Sequence, residues 1–186
     1  MKHILNFTPK CIQEENDKKI MLEYIEKNSN VYTRDNEVAH MTASSWIVNK
    51  TKTKVLMVYH NIYNSWSWTG GHMDGETDYL SVAIKEAKEE TGITNLVPLN
   101  KGEIYSLEIL PVLGHIKRGK YVSCHLHFNV TYLLEASEED ELLVKPDENS
   151  GVKWIDICDV LDAVSEEDMK IVYKKLNDRL GEINGY

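Results

Sequence analysis

The chain has 186 residues, enough for one domain with a substantial core and a terminal extension. Its formal net charge of −9 and pI of about 5.3 disfavour non-specific binding to a nucleic-acid backbone, although they leave open a nucleotide held through a metal. No apolar run approaches a membrane span, the opening MKHILNFTPK lacks the hydrophobic stretch of a secretory signal, and Cys11, Cys124 and Cys158 are too few and too scattered for a disulfide framework or a zinc cluster, so a reduced, cytoplasmic protein is expected.

Residues 8–28 read as a helix: Thr8 can cap it, Pro9 suits its first turn, and Ile12, Met21, Tyr24 and Ile25 supply a buried face. NSNVYTRDNE then reads as a loop, giving an N-terminal helical extension over 1–37 and a main domain over 38–186. The alternative for 1–37 is an arm used to form a homodimer. From His40 the pattern changes to strands: MTASSWIVN and KVLMVYH flank the polar turn KTKTK as an antiparallel hairpin. The second of these is apolar at nearly every position, as expected of a strand covered on both faces. Trp66 and Trp68 follow on one face of an extended segment, either packing under the next helix or offering a ring on which a base can stack.

The stretch GGHMDGETDYLSVAIKEAKEETGI, residues 70–93, runs from a glycine turn into a helix that Asp78 or Thr77 can cap and Gly92 can end in the left-handed conformation. At about 100° per residue, Glu86, Glu89 and Glu90 fall within one quadrant. Leu80, Ala83, Ile84, Ala87 and Thr91 form an adjacent, largely apolar stripe, and Ser81, Lys85 and Lys88 face away. Three like charges so close repel, and a hard divalent cation relieves the repulsion.

IYSLEILPV and YVSCHLHFNVTYLL flank the basic turn LGHIKRGK, another hairpin. In the second segment Val122, Cys124, Leu126, Phe128, Val130 and Tyr132 alternate with Ser123, His125, His127, Asn129 and Thr131, giving one core face and one polar face. His125 and His127 point to one side, but no third nitrogen or sulfur ligand is identifiable near them, so a transition-metal site is not expected, and the face is expected either to be solvent-exposed or to line a polar substrate cleft. Lys117, Arg118 and Lys120 stand out in an acidic chain as a solvated turn or as phosphate contacts. An acidic loop follows, then VKWIDI as a last strand and two helical stretches, ICDVLDAV and SEEDMKIVYKKLNDRL.

The 70–93 stretch resembles the Nudix hydrolase signature, G-x5-E-x7-REUxEExGU with U aliphatic. Gly71 takes the first glycine, and Lys85, Glu86, Ala87, Glu89, Glu90, Gly92 and Ile93 take the second half at the family's spacing. Two positions depart from it: the early glutamate falls on Thr77, and the arginine is Lys85. In the family those two residues form an ion pair, so their joint loss resembles a matched change in scaffolding. The resemblance implies an α/β fold, a Nudix-type α/β/α sandwich with a mixed sheet, the glutamate helix on one side and the C-terminal helix on the other.

The resemblance also implies Mg2+, with Mn2+ as an alternative, held by Glu86, Glu89, Glu90 and the Gly71 carbonyl. Glu89 is then the expected proton acceptor, with Glu148 as a possible base from the loop before the last strand. The expected reaction is hydrolysis of a pyrophosphate bond in a nucleoside diphosphate linked to another moiety, a small-molecule, nucleotide-type substrate. Trp66, Trp68, His72, Arg118, Lys120, His125 and His127 are the candidate substrate contacts. A non-hydrolysing nucleotide sensor would be expected to lose a glutamate of the signature. An isoprenoid diphosphate isomerase would need a cysteine in the strand before it, and residues 60–71 contain none.

Overall fold

The computed structural model describes residues 1–117 and 119–183. In chain order the elements are α1 (Lys2–Asn6), α2 (Ile12–Lys27), β1 (Ala39–Val48), β2 (Lys54–His60), β3 (Ser65–Ser67), β4 (Thr69–His72), α3 (Tyr79–Thr91), β5 (Val97–Pro98), β6 (Ser106–Val112), β7 (His115–Lys117), β8 (Lys120–Val122), β9 (His125–Glu135), β10 (Asn149–Asp156), α4 (Val160–Ala163) and α5 (Glu167–Ile183). The main sheet runs β10-β2-β1-β9-β5, with β3 on β2, β4 on β1 and β6 on β9; β7 and β8 form a separate ribbon. It is mixed because β1 and β9 pair in parallel, Met41 opposite Phe128, while the other pairings are antiparallel.

Alternation along the strands builds three layers. Ala39, Met41, Ala43 and Ile47 of β1 and Phe128, Val130, Tyr132 and Leu134 of β9 face one way, under α2 and α3. On the opposite face, Trp46 and Val48 of β1 and Leu133 of β9 lie under Tyr173, Leu176 and Leu180 of α5. In β2, Leu56 enters the first cluster while Val55 and Met57 enter the second, which is why that strand reads as apolar throughout. The face that is apolar under α5 is polar further along: His40, Thr42 and Ser44 of β1 and His125, His127 and Asn129 of β9 lie where a cleft opens.

The N-terminal helix expected over 8–28 is shorter, with α2 spanning Ile12–Lys27, and a separate short helix, α1, precedes it. Pro9 disfavours the helical region for the residue before it, and the chain between α1 and α2 is non-helical. Consequently α2 starts at Ile12, which is 75 % exposed rather than buried. Its N-cap, Cys11, makes no side-chain cap, and the Glu14 carboxylate instead accepts from the Lys10 amide at 2.9 Å. Ile4, Phe7, Met21, Ile25 and Val31 all join the core shared with α3.

Glu14 is fully buried and ties the two ends of the chain together. It accepts from Arg179 of α5 at 2.6 Å and from Ser106 of β6 at 2.8 Å. Arg179 also donates to the Tyr105 carbonyl at 2.7 Å, and Lys175 pairs with the buried Glu108 at 2.9 Å. Glu108 accepts in turn from Thr131 and Asn129, and Asn129 accepts from Thr42 and Ser44. Two carboxylates and two cations thus anchor a hydrogen-bonded network that ends on the polar floor of the sheet.

Burial alone would push the Glu14 carboxyl up. The Arg179 and Lys10 hydrogen bonds and the Lys175 charge outweigh it and hold the group below its ordinary value. A depressed carboxyl stabilises the fold above its unfolded pKa and loses that contribution as pH falls. Stability measured by urea should therefore decline as pH drops below roughly 4.5. Arg179→Met, which strands a buried charge, should cost about 3–5 kcal/mol. Lys170→Met, which removes an exposed pair with Glu167, should cost less than about 1 kcal/mol. Equal costs would show that the buried network contributes no more than a surface pair.

Candidate active site

The helix that carries the acidic edge has both expected terminators. Asp78 accepts from the Ser81 amide at 3.2 Å, and Gly92 at φ 78° donates to the Lys88 carbonyl. Ala83, Ala87 and Thr91 are buried, with Leu80 and Ile84 partly so, while Lys85 and Lys88 are exposed. The three glutamates occupy different environments along one edge. Glu90 is 5 % exposed and accepts from the Gly70 amide at 3.1 Å, while its backbone carbonyl accepts from Asn149 of β10 at 2.9 Å. Glu86 is half-buried against Gly71, and Glu89 is exposed, 3.3 Å from Lys145 and 4.0 Å from Lys85.

Close approach of backbone requires glycine at Gly70 and brings Gly71 against the Glu86 side chain. A Cβ on Gly71 would lie 2.6 Å from Oε2 of Glu86, and one on Gly70 would lie 2.8 Å from the Ala43 carbonyl oxygen. The backbone of β4 is therefore pressed between β1 and the acidic edge of α3. Burial raises the Glu90 carboxyl to about 8, with Glu148 and Glu86 adding repulsion against the lowering effects of the Gly70 amide and Lys145. Burial, then Glu89, likewise pushes Glu86 up.

The turn between β4 and α3 is braced from the N-terminal segment. Arg34 donates to both oxygens of Asp74 at 2.7 Å, and the Gly75 amide donates to the Tyr32 carbonyl at 2.9 Å. Thr77 is exposed, and Lys85 reaches toward Glu89 along its own helix.

A cleft of about 480 Å³ opens beside this edge, a size suited to a small ligand. Glu90, Gly70 and Gly71 line it, Thr42, Ser44 and Asn129 form part of its floor, and Tyr63, Trp68, Leu110 and Tyr121 contribute apolar wall. The start of α5 flanks it through Glu166, Asp168 and Met169.

The candidate substrate contacts divide. Trp68, His72, His125 and His127 line the cleft. Trp68 is 8 % exposed, with its ring edge-on to Tyr173. Trp66 lies elsewhere: its ring packs against Tyr59 and Gly151, with the Lys153 ammonium 4.3 Å from its centroid. Lys120 is exposed at the start of β8, and Arg118 lies outside the described residues. Glu148 sits 3.0 Å from Lys145, which joins it to Glu89, so the loop before β10 borders the acidic edge.

The expectation that His125 and His127 lack further nitrogen partners is overturned. His40 of β1 and His72 of β4 join them, and the ligating atoms of all four lie within 4.8 Å of one another. The pattern of β9 alone conceals this because the other two rings come from strands far away in sequence. His40 and His127 are aligned across the parallel β1–β9 pair, and His72 is opposite Thr42 across β1–β4. Only the odd placement of His40 in the first residues of a strand hinted at it. Burial and the neighbouring rings hold His127 down to about 2, and burial lowers His40.

Comparison with known proteins identifies the family. The chain is 32% identical over 141 residues to the RNA pyrophosphohydrolase of Pelagibacter ubique (strain HTCC1062), covering 74% of this chain and 88% of that protein. Among solved structures, a C. elegans Ap4A hydrolase superposes with a TM-score of 0.56 at 21% identity, covering 76% of this chain and 98% of that one. A NUDIX-family hydrolase from Clostridium perfringens gives 0.51 at 25% identity, covering 76% and 97%. The NUDIX domain model matches residues 39–176, spanning β1 to the middle of α5 and including the glutamate helix and most of the cleft lining, and the chain belongs to the Nudix family.

Proposed function

We propose that the chain is a divalent-metal-dependent hydrolase that cleaves the pyrophosphate bond of a nucleoside diphosphate linked to another moiety. The observation that carries this reading is the seating of Glu86 and Glu90 against the backbone of Gly71 and Gly70 at the edge of a ligand-sized cleft. The donors fit Mg2+: carboxylate oxygens of Glu86, Glu89 and Glu90 with the Gly71 carbonyl are hard ligands, and burial with mutual repulsion makes the unpaired anions costly. Among the described residues these carboxylates do not converge on one point; Glu89 is turned to Lys145 and would swing from it to complete the set. A cation bound there supplies charge neutralisation on diphosphate oxygens and acidifies water.

The rest of the chemistry belongs to the chain. Glu89, the most accessible of the three, is the proton acceptor in this reading, and Glu148 is positioned by Lys145 to serve from the facing loop. Trp68 and the neighbouring apolar wall exclude water from the non-phosphate moiety, while His72, His125 and His127 lie on the polar floor beneath it. Residues 1–37 act in this reading as an extension that braces the glycine turn through Arg34. The name of the Pelagibacter relative, an RNA pyrophosphohydrolase, adds weight to RNA beside nucleoside triphosphates, ADP-ribose, dinucleoside polyphosphates and sugar nucleotides in the set to be screened for product mass with Mg2+ and Mn2+.

Glu90→Gln and Glu89→Gln should each reduce turnover on the best substrate by at least about a hundredfold with circular dichroism unchanged. Near wild-type rates in both would remove α3 from the chemistry. The folded Glu90 pKa lies above the unfolded one, so its ionisation destabilises the fold increasingly as pH rises from roughly 4.5 toward about 8. In chelator at pH 8, Glu90→Gln should therefore melt at or above the wild-type temperature, and a lower one would contradict the burial cost.

The tryptophans separate by the same logic. Trp68→Ala should raise KM by roughly ten- to a hundredfold, in keeping with the loss of a stacking wall. Trp66→Ala should lower the melting temperature and leave KM near wild type; the reverse pattern would place the nucleotide on the other side of β3.

A further inference from the structure

We infer that His40, His72, His125 and His127 form a binding site for one late transition-metal dication, with Zn2+ the best match, distinct in its chemistry from the carboxylate edge of α3. The four rings come from three adjacent strands of one sheet, so the backbone that presents them is rigid. Ring centroids of His40 lie 5.0, 4.8 and 5.1 Å from those of His72, His125 and His127, and His72 and His127 are 4.8 Å apart.

The hydrogen bonds set the tautomers. Nδ1 of His40 lies 3.0 Å from the Asn36 carbonyl and Nδ1 of His125 lies 2.8 Å from the Ser123 carbonyl. A carbonyl only accepts, so in the neutral rings both Nδ1 atoms carry the proton and both Nε2 atoms present a lone pair. This is the outer-shell arrangement that orients metal-binding histidines. His40 is 5 % exposed, and its Nε2 is buried without a hydrogen-bond partner among the described residues, an acceptor with nothing to accept.

Spacing agrees with tetrahedral coordination. Zinc–nitrogen bonds of 2.0–2.1 Å place neighbouring ligand atoms about 3.3–3.4 Å apart. The Nε2 atoms of His125 and His127 are 3.3 Å apart, and the widest pair in the group, within 4.8 Å, closes by about 1.4 Å through side-chain rotation. The all-imidazole donor set suits Zn2+, Cu2+ or Ni2+ and is poor for Mg2+, so the two kinds of cation would not compete for it. Because His72 directly follows Gly71, a bound cation fastens the glycine turn to β1 and β9.

The test uses the full chain stripped with chelator, then dialysed against ZnCl2 in excess MgCl2, with bound metal counted by mass spectrometry and melting temperature followed in parallel. One zinc per chain and a raised melting temperature are expected for the wild type and for Glu86→Gln/Glu90→Gln. His40→Gln and the half-buried His125→Gln, checked for folding by circular dichroism, should each weaken zinc by at least about a hundredfold. Cobalt substitution should give the intense visible absorption of a tetrahedral ion. The inference is overturned if the wild type binds no zinc, if both histidine variants retain it, or if the glutamate variant alone loses it. The first result would leave the His125–His127 contact as a hydrogen bond between neutral rings.

Discussion

The backbone of Gly70 and Gly71 lies against two carboxylates, and most of the architecture serves that contact. Glu90 is buried with the Gly70 amide donating to one of its oxygens, and Glu86 is packed so tightly on Gly71 that a methyl group would collide with it. A carboxylate in such a place is costly unless paired or hydrogen-bonded. The raised pKa values of both groups express that cost. The fold tolerates it because β4 is fixed to β1 along four residues and α3 is capped at both ends.

The cleft exists because α5 covers only part of its face of the sheet. Along β1 the same face changes from His40, Thr42 and Ser44 to Trp46 and Val48, and along β9 from His127 and Asn129 to Leu133. The apolar part is sealed by Tyr173, Leu176 and Leu180, whereas the polar part is left open to a ligand. Asn129 links that floor to the buried Glu108 and Lys175 pair, so a polar network connects the substrate side of the sheet to the anchor between α2 and α5. Loss of rigidity in the anchor would thus be felt on the floor.

Local features were legible in the sequence where one element sufficed to define them. The caps of α3, its apolar, solvent and acidic sides, the antiparallel pairing of β1 with β2 and the two faces of β9 from Phe128 onward follow from spacing and turn chemistry, whereas the expected core positions Cys124 and Leu126 are exposed, and the α/β/α layering follows from the family resemblance. The N-terminal helix starts later than its spacing suggests because Pro9 lies in the non-helical stretch before α2 and not in a first turn. Trp66 and Trp68 share a face, but strand pairing to Tyr59 takes Trp66 away from the cleft. The histidine group is hidden for a related reason: its members lie on three strands, and the parallel β1–β9 register that aligns His40 with His127 leaves no trace in either strand alone.

The central claim is that the edge of α3 promotes attack of water on phosphorus in a diphosphate. Turnover of the best substrate in 18O-labelled water with Mg2+ tests it most directly, with the products resolved by mass. The account predicts label in one phosphoryl product, one atom per bond cleaved, and no cleavage once the divalent cation is chelated. Tight nucleotide binding without labelled product would contradict it and identify a Nudix fold that reads nucleotides without cutting them.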